Sequence, residues 1–509
     1  MSKCAEIMRW YLVLLCVPLM GACQEKMHLR FQVITPAGFD WRDAITRVVI
    51  SAGNDTKVIQ CKNNECPFSV KFSFSEGDFI RLAIHGYDAE NQLLAAGYSP
   101  LFYATGQAMN LAVFFSRINT GAVLDTYFEA PPSGGVVVPY VTSVSDDLAT
   151  NAGTLLLGGT RDGSPVDEVW FYDPYLLALL PLEPLSIPLE EPAVMDLKDG
   201  NYLIYGGRTT GKQLSNKLLF YSTTSLQAMG SQVISLPPET APPPMAGAHV
   251  VEVGPFDRLY DNASGRYLLD AFLLLGAVQE EGDASVWWFT VYYDPARAVT
   301  SIETRSADMV LPTGVRAAGI RVSDTEMRIV VPEASVFLTA RIDTTSTGLS
   351  FSLTSQAIDG LPSRSSWRLV PWGQHIVGVT GRTLDTQACD GRWFVFTPAN
   401  FTLREVLTSS SHCESALIRM GETIVEAGGV DADGNPQEAN YRLVHIEEGH
   451  ISLESPMAIR MERLRVLPIV FTLPTGAVAV FGGYDPVVGD RVDALEMMVL
   501  DPRKTQEPQ

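Results

Sequence analysis

The sequence predicts an all-β protein, and three observations carry that reading. Apolar runs are short and punctuated by turn residues, with 41 Gly and 32 Pro among 509 residues. Long apolar patterns of helical period are almost absent. From about residue 122 onward a strand–glycine–strand unit returns every roughly 50 residues. Apolar residues make up 46% of the chain and charged residues 19%, so it can bury cores of ordinary density, and its length calls for two or more domains.

The first element is a leader. Lys3 and Arg9 precede an apolar run from Trp10 to Met20, followed by Gly21-Ala22-Cys23 and polar Gln24 and Glu25. The run is shorter than the ~20 residues that a spanning helix needs, and it fits the apolar region of a signal peptide over residues 1–22. The small residues before Cys23 resemble the lipobox of bacterial lipoproteins, although Met20 stands where Leu is commonest. That resemblance implies cleavage before Cys23, lipidation of its thiol, and a membrane partner held by the lipid. Gln24, in place of the Asp that retains such proteins at the inner membrane of enteric bacteria, points to the outer membrane. The alternative is an ordinary secretory signal cut near Ala22.

Cysteine usage also points to export. Without the leader and a lipidated Cys23, the chain keeps Cys61, Cys66, Cys389 and Cys413. Two local disulfides are the economical solution in an oxidising compartment. Cys61 and Cys66 flank a polar turn, and no neighbouring Cys or His completes a zinc site with them.

Residues 23–120 carry seven short apolar runs: Leu29–Ile34, Thr46–Ser51, Lys57–Cys61, Phe68–Phe74, Phe79–Ile84, Leu93–Tyr98 and Asn110–Phe115. Several alternate apolar and polar residues, the pattern of half-buried strands. Seven strands in so short a segment suggest an immunoglobulin-like β-sandwich, though without a Cys-Trp-Cys pattern.

Residues 121–502 carry the repeat, ahead of a polar tail at 503–509. Its clearest copies contain Leu155-Leu156-Leu157-Gly158-Gly159, Leu203-Ile204-Tyr205-Gly206-Gly207, Leu273-Leu274-Leu275-Gly276, Ile424 to Gly429, and Val478 to Gly483. An aromatic or apolar strand follows each, such as Val169 to Asp173 or Trp287 to Pro295. Weaker copies lie at Arg328–Val331 and Ile376–Gly381, which gives seven in all. An inserted segment, roughly Gly254 to Arg266, widens the third. These glycine turns, following strands and spacing resemble kelch repeats over about three quarters of the chain. The resemblance implies a β-propeller of about seven blades, each a four-stranded sheet that covers its faces only by stacking on its neighbours. The last copy ends at Asp501-Pro502 without an outer strand, and Val123 to Glu129 is placed to supply it.

The net charge of −21 excludes nucleic acid as a partner, because displacing counterions from phosphates needs a basic face. No Gly-x-Ser-x-Gly, Walker, His-Glu-x-x-His or dinucleotide motif stands in a fitting context. The copper oxidases among kelch-containing proteins use a His, Tyr and Cys constellation, whereas here the histidines are scattered and the later cysteines suit a disulfide. The sequence therefore implies no metal, no cofactor and no catalytic residue. Asp431-Ala-Asp433-Gly-Asn435 reads as a solvated turn rather than a calcium loop.

The kelch resemblance places the loops after the glycines on one face with the segments entering the next blade. Arg161, Arg208 and Arg382 recur just after glycine positions, and Tyr484 follows the last pair. They are the candidate ligand-binding residues, since guanidinium forks suit carboxylates, although arginines in Asp-rich loops also pair locally. Cys389 and Cys413 fall on the same face and would brace it. The expected function is recognition of a protein or glycan by this rigid scaffold. A carbohydrate-active or oxidase-type catalytic propeller and a structural envelope component are the alternatives.

Overall fold

The computed structural model describes residues 29–502 apart from short internal stretches, the longest being 105–108, 125–131, 224–230 and 407–411. The expected leader, the expected lipidation site Cys23 and residues 503–509 lie outside the described residues. Among those described the architecture is all-β: antiparallel sheets predominate, and the only helical elements are three short 3-10 turns. The chain divides into two compact units, one running to Ile118 and including Pro174–Leu177, the other made of Asn119–Asp173 and the chain from Ala178 onward.

In the first unit, strands Leu29–Ile34 and Leu93–Tyr98 occupy the expected residues, and Arg47–Ala52, Asp55–Gln60 and Met109–Phe114 lie within a register step or two of theirs. Strand 47–52 pairs antiparallel with both 55–60 and Leu82–Tyr87 in a five-stranded sheet, while 29–34 pairs in parallel with 109–114. Val48, Ile50, Leu82 and Ile84 of the sheet share one core with Leu111 and Val113 of the parallel pair. Of the run Phe68–Phe74 only Val70, Phe72 and Phe74 are among the described residues, so the strand expected there lies mostly outside them. Phe72 and Phe74 are buried in that core with their rings stacked at 5.9 Å, on the apolar face that the alternation marks.

The second unit contains seven successive four-stranded antiparallel sheets, two of which carry an extra short strand. All seven repeat copies fall on the second strand of a sheet: Leu148–Leu157, Asn201–Tyr205, Arg266–Leu275, Glu326–Val331, His375–Thr383, Thr423–Ala427 and Val478–Phe481. The copies without a glycine pair do so too. In the seventh sheet Ile469–Thr472, Val478–Phe481 and Glu496–Met498 are followed by Gly121–Val123, which comes from the beginning of the unit. This strand shares only Val123 with the expected segment Val123 to Glu129; Leu124 lies beyond it, and 125–129 is outside the described residues.

The apolar cores lie between consecutive sheets. Tyr202 and Ile204 pack with Leu155 and Phe171 of the first sheet. Their neighbours along the strand, Leu203 and Tyr205, pack with Phe272 and Leu274 of the third. Side chains alternate across a strand, so a strand with a sheet on either side reads as an unbroken apolar run. Similar clusters join the third sheet to the fourth, the fourth to the fifth, the fifth to the sixth, and the sixth to the seventh. The Tyr172 hydroxyl donates to Met497 Sδ at 3.6 Å, a contact from the first sheet to the seventh.

Candidate functional site

The glycine turns set the geometry of one set of loops. Gly159, Gly207 and Gly429 donate their N–H groups to the carbonyls of Leu189, Met245 and Arg465, each on the chain entering another sheet. The glycine before each has positive φ, and a Cβ there would stand 2.2–2.4 Å from the same carbonyl. Only a residue without a side chain admits that approach. The residue after three of the pairs bridges back to the chain entering its own sheet, Arg208 with Glu190, Val430 with Cys413 and Tyr484 with Val466, whereas Thr160 pairs with Pro165 in a short hairpin.

On this frame each candidate arginine holds a carboxylate. Arg161 grips Glu168 through two nitrogens, at 2.9 and 2.7 Å, and Trp170 Nε1 donates to the same carboxylate at 2.9 Å. The Arg161 hydrogen bond holds the Glu168 carboxyl below its ordinary range, against a smaller opposing effect of burial. Arg208 Nε reaches Glu191 at 3.3 Å, and Arg382 Nε reaches Glu414 at 2.7 Å. Local pairing therefore engages all three guanidiniums. Tyr484 is 47% exposed, and its loop also exposes Val487 and Val488, whose N–H groups bind the Asp485 carboxylate.

The two disulfides are Cys61–Cys66 and Cys389–Cys413, with Cα separations of 4.5 and 5.6 Å. The second ties the loop after Arg382 to the chain entering the sixth sheet. Beneath it, Arg368 Nη2 donates to the His412 carbonyl, His412 Nδ1 lies 3.3 Å from Glu426, and Ser415 donates to that carboxylate at 2.9 Å. Asp431 accepts from the backbone of Asp433 and Asn435 and from the Gln437 side chain, so its loop closes on itself as a turn.

Two clefts lie in the second unit, only the first of them beside these loops. One, of about 440 Å³, opens beside Arg161, Glu168 and Trp170 and is completed by Pro181, Leu182 and Pro184. Near it, Arg491 of the seventh sheet's loop donates to the carbonyl and hydroxyl of Thr160. The other, of about 550 Å³, lies at the opposite ends of the strands and involves none of the candidate residues.

No protein-family model and no curated protein matches the chain. Among solved structures it is similar to a fungal alcohol oxidase of the AA5 family in complex with copper, at 12% identity and a TM-score of 0.44 over 72% of this chain and 76% of that one.

Sequence reasoning missed a group of charges near the second cleft. Lys198 lies 2.9 Å from Glu252 and 3.3 Å from Asp196. Burial and the Glu252 charge push the nearby Asp270 carboxyl up to about 8, although the Ala271 N–H binds it. A signal was available: Asp270 is a lone acid inside the apolar run Leu268 to Leu275. Glu426 and Glu496 stand out in the same way.

Proposed function

We propose that this chain is an exported, lipid-anchored envelope protein whose second unit is a kelch-like β-propeller used for recognition, its first unit an immunoglobulin-like sandwich. The observation that carries the propeller reading is the order of contacts in the second unit. Each sheet packs on the next, and the seventh returns to the first through Tyr172–Met497 and Arg491–Thr160. Strand Gly121–Val123 completes the seventh sheet, as ring closure requires. Two disulfides support export, since such bonds persist in oxidising compartments.

The recognition face is the one bearing the glycine loops, and its ligand is a protein or glycan. Rigid turns, a bonded Arg161–Glu168 pair beside an open cleft, and an exposed Tyr484 give fixed polar groups next to an aromatic anchor.

The test has two arms. Intact mass and membrane fractionation of wild type and Cys23→Ser should show a diacylglyceryl mass and membrane retention that the variant loses; a soluble, unlipidated wild type sinks the anchor. Glycan arrays and crosslinking to envelope proteins should yield a ligand whose affinity falls about 10-fold or more in Arg161→Ala/Tyr484→Ala. A ligand indifferent to that pair sinks the face.

A further inference from the structure

The second cleft lies at the strand ends remote from the glycine turns. Its walls come from the inserted segment of the third sheet and from the first hairpin of the fourth. Exposed Pro255, half-buried Phe256 and Leu259 form the apolar side, and Arg321, Asp324 and Thr325 the polar side. The Arg321 guanidinium stands 5.4 Å from the centroid of the Phe256 ring.

Arg321 differs from the arginines of the glycine loops. Its Nη2 donates to the carbonyls of Val253 and Pro255, at 3.2 and 2.7 Å, and lies 3.5 Å from that of Asp324. Among the described residues it forms no ion pair with a carboxylate. The acid whose charge it influences, Glu252, is already held by Lys198 at 2.9 Å. One nitrogen thus fixes the orientation of an exposed guanidinium and leaves the rest of the fork to offer to a carboxylate from outside. Thr325 can donate or accept, and Asp324 only accepts. A cleft that joins a carboxylate binder to a carboxylate acceptor suits a ligand carrying both a carboxylate and several hydroxyl donors. Phe256 and Pro255 provide flat apolar surface for the C–H face of a ring.

We propose that this cleft is a second binding site, for a uronate-bearing saccharide: Arg321 takes the uronate carboxylate, Asp324 and Thr325 take ring hydroxyls, and the sugar lies on Phe256. The site stands apart from the glycine-loop face and does not depend on it.

Trigalacturonic acid and its fully methyl-esterified counterpart, titrated calorimetrically into the full chain, test the assignment. Wild type should bind the acid saturably and the ester at least about 10-fold more weakly. Arg321→Lys and Phe256→Leu should each weaken the acid by about 10-fold, because a lysine cannot reproduce the planar fork and leucine offers no ring face. Thr325→Val, which disturbs no carbonyl held by Arg321, should weaken it by a few-fold and decides the case if Arg321→Lys fails to fold. Arg161→Ala/Tyr484→Ala should leave this binding unchanged, which separates the two sites. Absence of saturable binding, equal affinity for acid and ester, or indifference to the cleft variants overturns the proposal.

Discussion

At residue scale, two ionisable groups give the second unit opposite responses to pH. Asp270 has a folded pKa of about 8 against an ordinary 3.8, through burial and then the charge of Glu252. The folded state binds the extra proton, so this contribution to stability is full below pH 4 and is lost as pH rises through 8. Asp270→Asn should therefore raise the melting temperature at pH 9 by about 2–4 °C for each kcal/mol relieved, with little gain at pH 4. His249 runs the other way: burial, then the charge of Arg316, push it down to about 4, against a hydrogen bond that the ring donates to the Ala317 backbone. Its contribution is full above 6.5 and is lost as pH falls toward 4, so His249→Gln should flatten the melting curve between those values. Equal slopes in wild type and variants would refute both assignments. Neither environment could be read from sequence, because the charges that set it come from other strands and loops. A lone acid in an apolar strand was legible as an anomaly, without its partners.

At the scale of elements, the glycine turn was the most legible feature. Its sequence cost is absolute: a Cβ at Gly206 would stand 2.4 Å from the Met245 carbonyl, and one at Gly428 would stand 2.2 Å from that of Arg465. Gly206→Ala and Gly428→Ala should each destabilise by about 2–4 kcal/mol through backbone displacement and positive φ, whereas Gly163→Ala, with open space around it, should cost about 1 kcal/mol from φ alone. Denaturant unfolding measures the contrast, and equal losses at the three positions would contradict it. The arginine partners were less legible, because Glu191 and Glu414 arrive from other loops. Reduction of Cys389–Cys413, which spans 24 residues, should cost about 3 kcal/mol in the chain-entropy account.

At the largest scale, the seven sheets of the second unit were countable from glycine and strand spacing even where the glycine pair was missing, because a sheet with cores on both sides, as the second to sixth have, needs continuous apolar strands. The second cleft was not legible, being made where the inserted segment of the third sheet meets a hairpin of the fourth. The seventh sheet is the best place to test the second unit's integrity. Arg465 and Glu496 form a fully buried pair at 3.0 Å, and Glu496 also accepts from the backbone of Glu462 and Arg463. The same carboxylate lies against Gly121 of the completing strand, where a Cβ would come within 1.9 Å of it. Glu496→Ala strands a buried guanidinium and should cost about 3–5 kcal/mol; a loss under 1 kcal/mol would mean that the pair is dispensable.

That completing strand also fixes an order of events during synthesis. Val123 emerges early, yet its N–H binds Glu462, 339 residues later, and its ladder partners come later still. The first six sheets can form as they are made, while the seventh waits for the end of the chain. A ribosome-bound chain therefore carries an open strand edge throughout its elongation. Guarding that edge falls to whatever meets the nascent chain, and premature termination anywhere before Glu496 would leave it exposed for good.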